Sequence, residues 1–234
     1  MVVLHMVRQL KPEVRVLFND TRVEFPDTYK FKKMITEEWN LNVMEIGPTR
    51  TFWWVVDHYG FPLFNRGGYR DASKCCCRYL KEYPIEAALR KYHFDLYFTG
   101  LTRHESRRRE FAARKYGPYF FSRRLKYWKC HPIQEWTSDE VWEYHLKYHI
   151  PHNGLYDKEP VDGYDLRTGC WPCTIPIKYG KVEFLRKNYP KLWAILLDRG
   201  LGKLILERKS GTKISDDAVQ QWINSRPCFF DRIK

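Results

Sequence analysis

Val14-Arg15-Val16-Leu17-Phe18, followed by Asn19-Asp20-Thr21, is the stretch that decides the fold. Four apolar residues around one Arg, ended by turn-forming polar residues, read as a short buried strand. On its C-terminal side, Pro26 to Trp39 reads as a helix. Pro stands at its start, and Phe31, Met34, Ile35 and Trp39 fall on one face. Val43-Met44-Glu45-Ile46 then reads as a second strand, closed by Gly47-Pro48. On its N-terminal side, Val3, Met6, Val7 and Leu10 follow the helical i, i+3, i+4, i+7 rule, and Pro12 stops that helix. Downstream come a helix from about Thr51 to His58, a loop through Gly60, Gly67 and Gly68, and a helix from Pro84 to Tyr92. A third strand follows from Phe94 to Thr99. Helices alternating with strands imply right-handed crossovers and a parallel sheet covered on both faces. The fold class expected is α/β, a doubly wound and mostly parallel sheet with a helical C-terminal part.

The second half has a different texture. Tyr119 to Trp128 reads as extended. Thr137-Ser138-Asp139-Glu140 is a capped helix start ahead of Val141, Trp142, Tyr144 and Leu146. Lys181 to Asn188, Pro190 to Arg199 and Ser215 to Asn224 read as further helices. A soft boundary near Gly117-Pro118 separates an α/β part, 1–117, from a mainly helical part, 118–234, within one compact unit.

Composition narrows the classes. The chain has 234 residues, 44% apolar and 29% charged, which is a globular balance. Aromatics reach 17%, including nine Trp, enough for a well-filled core. No run approaches the roughly 18 apolar residues of a membrane span. The N-terminus, interrupted by His5, Arg8 and Gln9, has no cleavage pattern of a secretory signal. Those features point to a cytoplasmic protein without membrane contact. A net charge of +13 points to an anionic partner: a nucleotide, a sulfated or phosphorylated small molecule, or nucleic acid.

Seven cysteines stand at 75, 76, 77, 130, 170, 173 and 228. Clustered thiols in a chain without a signal read as metal ligation or redox chemistry rather than structural disulfides. Cys76-Cys77 and the Cys170-x-x-Cys173 pair supply four thiolates, suited to zinc or an iron–sulfur cluster. Adjacent cysteines are a poor zinc pair, which favours the cluster. Cys130 and Cys228 are isolated and read as small apolar residues. His145 and His149 share a helix face without a zinc-protease glutamate and read as packing.

Ligands of an open parallel sheet bind beyond the carboxyl ends of its strands. Two segments fall there. Asn19-Asp20-Thr21 offers a carboxylate and a hydroxyl to a nucleotide's amine or ribose, although the same residues also suit an ordinary turn. Gly100-Leu101-Thr102-Arg103-His104-Glu105-Ser106-Arg107-Arg108-Arg109 concentrates cations in one loop and helix start, and arginine grips phosphate or sulfate bidentately.

With these pieces in order, the chain resembles the phosphoadenylyl-sulfate and adenylyl-sulfate reductase family, a branch of the adenine nucleotide alpha-hydrolase-like group. Residues 16–29 resemble its strand, DTG turn and FPET segment. Residues 76–85 resemble its CCxxxKxxPL element, and residues 100–109 its GLRRxES arginine loop. Pro132-Ile133-Gln134-Glu135-Trp136-Thr137, Val141-Trp142, Ile150-Pro151, Leu155-Tyr156-Asp157, Gly163-Tyr164 and Gly169-Cys170 through Cys173 are similar to its long C-terminal run. The resemblance covers most of residues 14–175.

It implies reduction of activated sulfate to sulfite by a thioredoxin-like thiol donor. Cys76, Cys77, Cys170 and Cys173 would hold a 4Fe-4S cluster, with zinc as the alternative, and Lys81 would lie beside cluster and substrate. Asp20 and Thr21 would touch the adenosine. Arg103, Glu105, Ser106 and Arg109 would face the phosphosulfate of an adenine sulfonucleotide, or the phosphates of ATP in a sulfur-transfer relative acting on tRNA or DNA. A homo-oligomer and a non-catalytic, cluster-binding homologue also fit. Three departures stand out. The family's SGGKDS-like phosphate loop should precede the first helix, whereas this chain starts inside that helix with no cap before it. That predicts either an upstream segment or a copy without phosphate-loop binding. Arg22 replaces the glycine of the DTG turn. No ECGLH-like tail carries the nucleophilic cysteine, so Cys228 is the nearest candidate.

Overall fold

The computed structural model describes residues 1–62, 75–162, 164, 166–176, 180–210, 213, 215, 217, 218 and 221. The chain divides into two compact units whose segments interleave. The first comprises Met1–Asp20, Tyr29–Pro48 and Lys81–Asn153; the second comprises Thr21–Thr28, Thr49–Leu80 and Gly154–Lys234.

In the first unit, helix α1 (Val2–Leu10) precedes strand β1 (Arg15–Asn19), and helix α2 (Pro26–Glu38) leads to strand β2 (Asn42–Ile46). β1 and β2 pair in parallel from Arg15↔Asn42 to Asn19↔Ile46. Asp20 extends the ladder by donating its N–H to the Ile46 carbonyl at 2.8 Å. α1 has no side-chain cap and is held by tertiary contacts instead. Val2 and Val7 are buried, Arg8 donates to the Trp39 carbonyl at 2.7 Å, and His5 Nδ1 lies 3.0 Å from the Tyr144 hydroxyl. Packing of an apolar face, more than propensity, is what keeps so short a helix.

Helix α4 (Tyr83–Lys91), strand β3 (Leu96–Phe98), a 3₁₀ turn (Arg103–Glu105), helix α5 (Arg107–Tyr116) and strands β4 (Tyr119–Ser122) and β5 (Tyr127–Cys130) follow. β3 pairs in parallel with β5, and β4 pairs antiparallel with β5. Among the described residues there are therefore two sheets, β1–β2 and β3–β5–β4, where the alternation of elements predicts one. The three-residue β3 finds its ladder in the β4–β5 hairpin, some thirty residues downstream by sequence. Both sheets still feed one small core: Leu89, Leu125 and Tyr127 are buried there, with Leu17 of β1 and Tyr97 of β3 packed against them. Each such aliphatic side chain contributes about 1.5–3 kcal/mol when fully buried. Helix α6 (Ser138–Lys147) begins at the capping box read from the sequence. Thr137 and Glu140 exchange side-chain and backbone hydrogen bonds there.

The second unit is helical. Helix α3 (Phe52–Tyr59) starts at Thr51, whose hydroxyl accepts from the Trp54 N–H at 3.0 Å. Helices α7 (Lys181–Asn188), α8 (Pro190–Asp198) and α9 (Leu201–Ser210) close the unit. α7 starts from Gly180 at φ +92°, where an added Cβ would meet the Asp162 carbonyl oxygen at 3.1 Å, so this position requires glycine. Phe25, Phe52, Leu155, Phe184, Trp193 and Leu201 form the heart of the core. The helix expected over 215–224 lies largely outside the described residues. No helix among the described residues is long and apolar enough to cross a membrane.

Asp27 ties the edge of this core together. Its carboxylate accepts from the Tyr189 hydroxyl at 2.6 Å and lies 3.2 Å from the Lys158 ammonium. Burial works to raise its pKa, but the Tyr189 hydrogen bond and the Lys158 charge prevail and hold it below the ordinary carboxylate value. A depressed carboxyl stabilises the fold above its unfolded pKa of about 3.9, and that contribution is lost as pH falls through the folded value. Urea midpoints measured from pH 6 down to pH 2 are therefore expected to fall less steeply in Asp27→Asn than in the wild type.

Candidate functional site

The arginine loop of the first unit directly follows β3. Thr102 caps the 3₁₀ turn, with Glu105 returning a hydrogen bond to the Thr102 N–H at 3.1 Å. Ser106 then caps α5 by accepting from the Arg109 N–H at 3.3 Å. Two caps in five residues fix the backbone, so the arginines project from a rigid base. The Arg103 N–H donates to the Gln134 carbonyl at 2.8 Å, and its guanidinium pairs with Glu135. Arg109 pairs with Glu105. Arg103 and Arg109 line a cavity of about 70 Å³ together with Thr102, Tyr116, His131 and Gln134.

The Arg103 Nε is buried there without a hydrogen-bond partner among the described residues. A guanidinium carries five donors, and one carboxylate leaves several for a ligand. His131 adds no charge. Burial, and then the neighbouring Lys129 ammonium, push its pKa below the ordinary imidazole value. Its Nδ1 is engaged by the Thr99 hydroxyl. Among its lining residues the arginines alone thus carry charge, each paired with one glutamate. Glu105 pairs with Arg109 and Ser106 caps α5, so both shape the loop that carries the arginines. His131 and Gln134 are lining residues that the sequence reading did not single out. Gln134 belongs to the 132–137 segment, and its place opposite the arginine loop depends on a backbone contact that spacing does not show.

At the end of β1, Asp20 accepts from the Tyr29 hydroxyl at 2.7 Å. Gly47 fits close beside it, since a Cβ would come within 3.1 Å of the Asp20 carbonyl oxygen. Thr21, at the start of the second unit, is only 1% exposed. Its hydroxyl donates to Glu24 at 2.7 Å and accepts from the Cys170 thiol at 3.4 Å. Arg22 adopts φ +62°, the left-handed conformation that the glycine of the resembled turn would take freely. Arg22→Gly would relieve about 1–2 kcal/mol of strain against about 0.4–1 kcal/mol of added unfolded-chain entropy.

Cys75, Cys76, Cys77, Cys170 and Cys173 lie in the second unit. Cys75, Cys76 and Cys77 occupy a helical stretch that runs into a π-helical turn, Arg78–Glu82, which carries Lys81. Cys76, 7% exposed, and Cys170, 8% exposed, belong to the same buried cluster, with Cys75 and Cys173 packed against it. The Cys170 segment is anchored on both sides. Cys170 bridges to Glu24, the Trp171 N–H donates to the Val23 carbonyl at 2.8 Å, and the Cys173 N–H donates to the Cys170 carbonyl at 3.2 Å. Next to Cys173, the buried Thr174 hydroxyl has no hydrogen-bond partner among the described residues. Soft thiols in one apolar core, beside an orphaned hydroxyl able to donate to sulfur, suit an iron–sulfur group chemically. Among the described residues no three His, Cys, Asp or Glu side chains already converge as a ligand group, so binding would have to gather the sulfurs. Cys130 belongs to the first unit, and burial raises its thiol above the ordinary value, consistent with an inert residue. Cys228 lies outside the described residues.

The sequence profile described as phosphoadenosine phosphosulfate reductase domain matches residues 1–176. A protein of Bacillus cytotoxicus named adenosine 5'-phosphosulfate reductase is 32% identical over 183 residues, covering 77% of this chain and 71% of the relative. A protein of the same name from Bacillus mycoides is 32% identical over 182 residues, 77% of this chain and 70% of the relative. The crystal structure of phosphoadenylyl-sulfate reductase from Candida auris, in a phosphate complex, superposes with a TM-score of 0.54 at 20% identity. It covers 74% of this chain and 77% of that one, a likeness of fold.

Proposed function

The chain belongs to the phosphoadenosine phosphosulfate reductase domain family, and from that premise we propose that it reduces an adenine sulfonucleotide, adenosine 5'-phosphosulfate, to sulfite. The observation that carries this reading is the rigid loop after β3 that presents Arg103 and Arg109 to one cavity. Two guanidinia neutralise the phosphosulfate and accept the charge that builds on the departing phosphate as the S–O bond breaks. Two thiols of the donor supply the electron pair. They leave as a disulfide; of their two protons, one goes to adenosine monophosphate, which retains the bridging oxygen, and the other leaves with the reduced sulfur as hydrogensulfite. Asp20, which accepts from the Tyr29 hydroxyl, would accept from the nucleoside. Cys76, Cys77, Cys170 and Cys173 would hold a 4Fe-4S cluster through their four thiolates.

Calorimetric titration distinguishes the ligands. Adenosine 5'-phosphosulfate is expected to bind more tightly than ATP, and Arg103→Met to weaken that binding selectively. The net charge of +13 favours a second reading, ATP-dependent sulfur transfer to tRNA or DNA. Preference for ATP together with steeply salt-dependent tRNA binding would establish it in place of the reductase.

A further inference from the structure

We propose that Lys181 is a positioning residue for the four-thiol site, its buried ammonium pinning the Cys170–Cys173 turn and balancing the negative charge of the thiolates. The inference rests on the reading that these thiols hold an iron–sulfur group. Lys181 is 3% exposed, an expensive place for a lysine. It is also the first residue of α7, where the helix dipole disfavours a cation. Against those costs stand two observations. Its Nζ donates to the Cys170 carbonyl at 2.9 Å, and it lies 5.7 Å from the centroid of the Phe25 ring. The Cys170 carbonyl thereby accepts twice, from Lys181 and from the Cys173 N–H, which uses both of its lone pairs and locks the turn between the two cysteines. Gly180, the residue before α7, is also held by close packing, so the lysine enters the core from a fixed point. Four thiolates around an iron–sulfur core leave a net negative group, and an ammonium hydrogen-bonded to the backbone of one ligand offsets it. This is how groups outside the ligand shell fix and tune such sites.

The test compares anaerobically reconstituted wild type, Lys181→Met and Lys181→Gln by iron and sulfide content, rate of iron loss to a chelator, and midpoint potential. Lys181→Met should lose iron about 10–100-fold faster and be reduced at a more negative potential, because the cation that favours the reduced form is gone. Lys181→Gln keeps a donor for the carbonyl. It should lose iron more slowly than Lys181→Met while sharing its lower potential, and it carries the test if the methionine variant does not fold. Variants that match a loaded wild type in both rate and potential overturn the role of Lys181 alone. A wild type that takes up no iron overturns the four-thiol reading and this inference with it.

Discussion

Cys170→Ser protein, prepared without oxygen, will carry little iron and release sulfite at background rate. Cys170 is buried in the same core cluster as Cys76, and its segment is fixed by the bridge to Glu24 and by the Lys181 and Cys173 hydrogen bonds. Serine keeps the shape and can keep the hydrogen bond to Thr21, so the fold is retained. What it removes is a soft thiolate, for which a hydroxyl is no substitute at iron. Loss of a group merely behind the ligands costs 10–100-fold in metal affinity, so loss of the ligand itself is expected to exceed about 100-fold. Iron and sulfide analysis alongside a thermal melt separates the two effects. Cys130→Ser, in the first unit, is expected to leave iron content unchanged.

Arg103→Met should lower kcat/KM for the sulfonucleotide by about 100-fold. Charge-assisted hydrogen bonds to an anion contribute about 1.5–3 kcal/mol, and each 1.4 kcal/mol is a factor of ten in the ratio. The loop is expected to keep its shape, because the Arg103 backbone N–H, not its side chain, reaches the Gln134 carbonyl. Arg103→Lys restores charge without the planar fork and should recover only part of the loss. Steady-state kinetics with a thiol donor reads both variants. An Arg103→Met enzyme with unchanged kcat/KM would remove the arginine loop from the substrate.

Local chemistry made much of this legible. The Thr137–Glu140 capping box, the Pro26 helix start and the span of Lys181–Asn188 follow from residue types over one or two turns, and the structure has them there. The parallel β1–β2 pair is likewise written in two apolar runs separated by one helix. Pairing of β3 was not legible. Three residues carry almost no periodic signal, and the ladder with β5 is a contact between distant segments. The π-helical turn at Arg78–Glu82 and helix α9 also escaped, the first because nothing local distinguishes it from an α-turn, the second because Gly202 interrupts its apolar pattern. At the candidate site, residue type singled out the arginines and cysteines. It could not show that Ser106 and Glu105 are occupied as cap and counter-ion, that Thr21 is sealed against Cys170, or that a lysine eleven residues beyond Cys170 returns to its carbonyl.

The central claim is reduction of a sulfur-bearing nucleotide, and sulfite release under anaerobic conditions tests it most directly. Iron-loaded protein, given adenosine 5'-phosphosulfate and reduced thioredoxin, is expected to produce sulfite and adenosine monophosphate in equal amounts. Fully loaded protein that binds the nucleotide yet yields no sulfite would contradict the account.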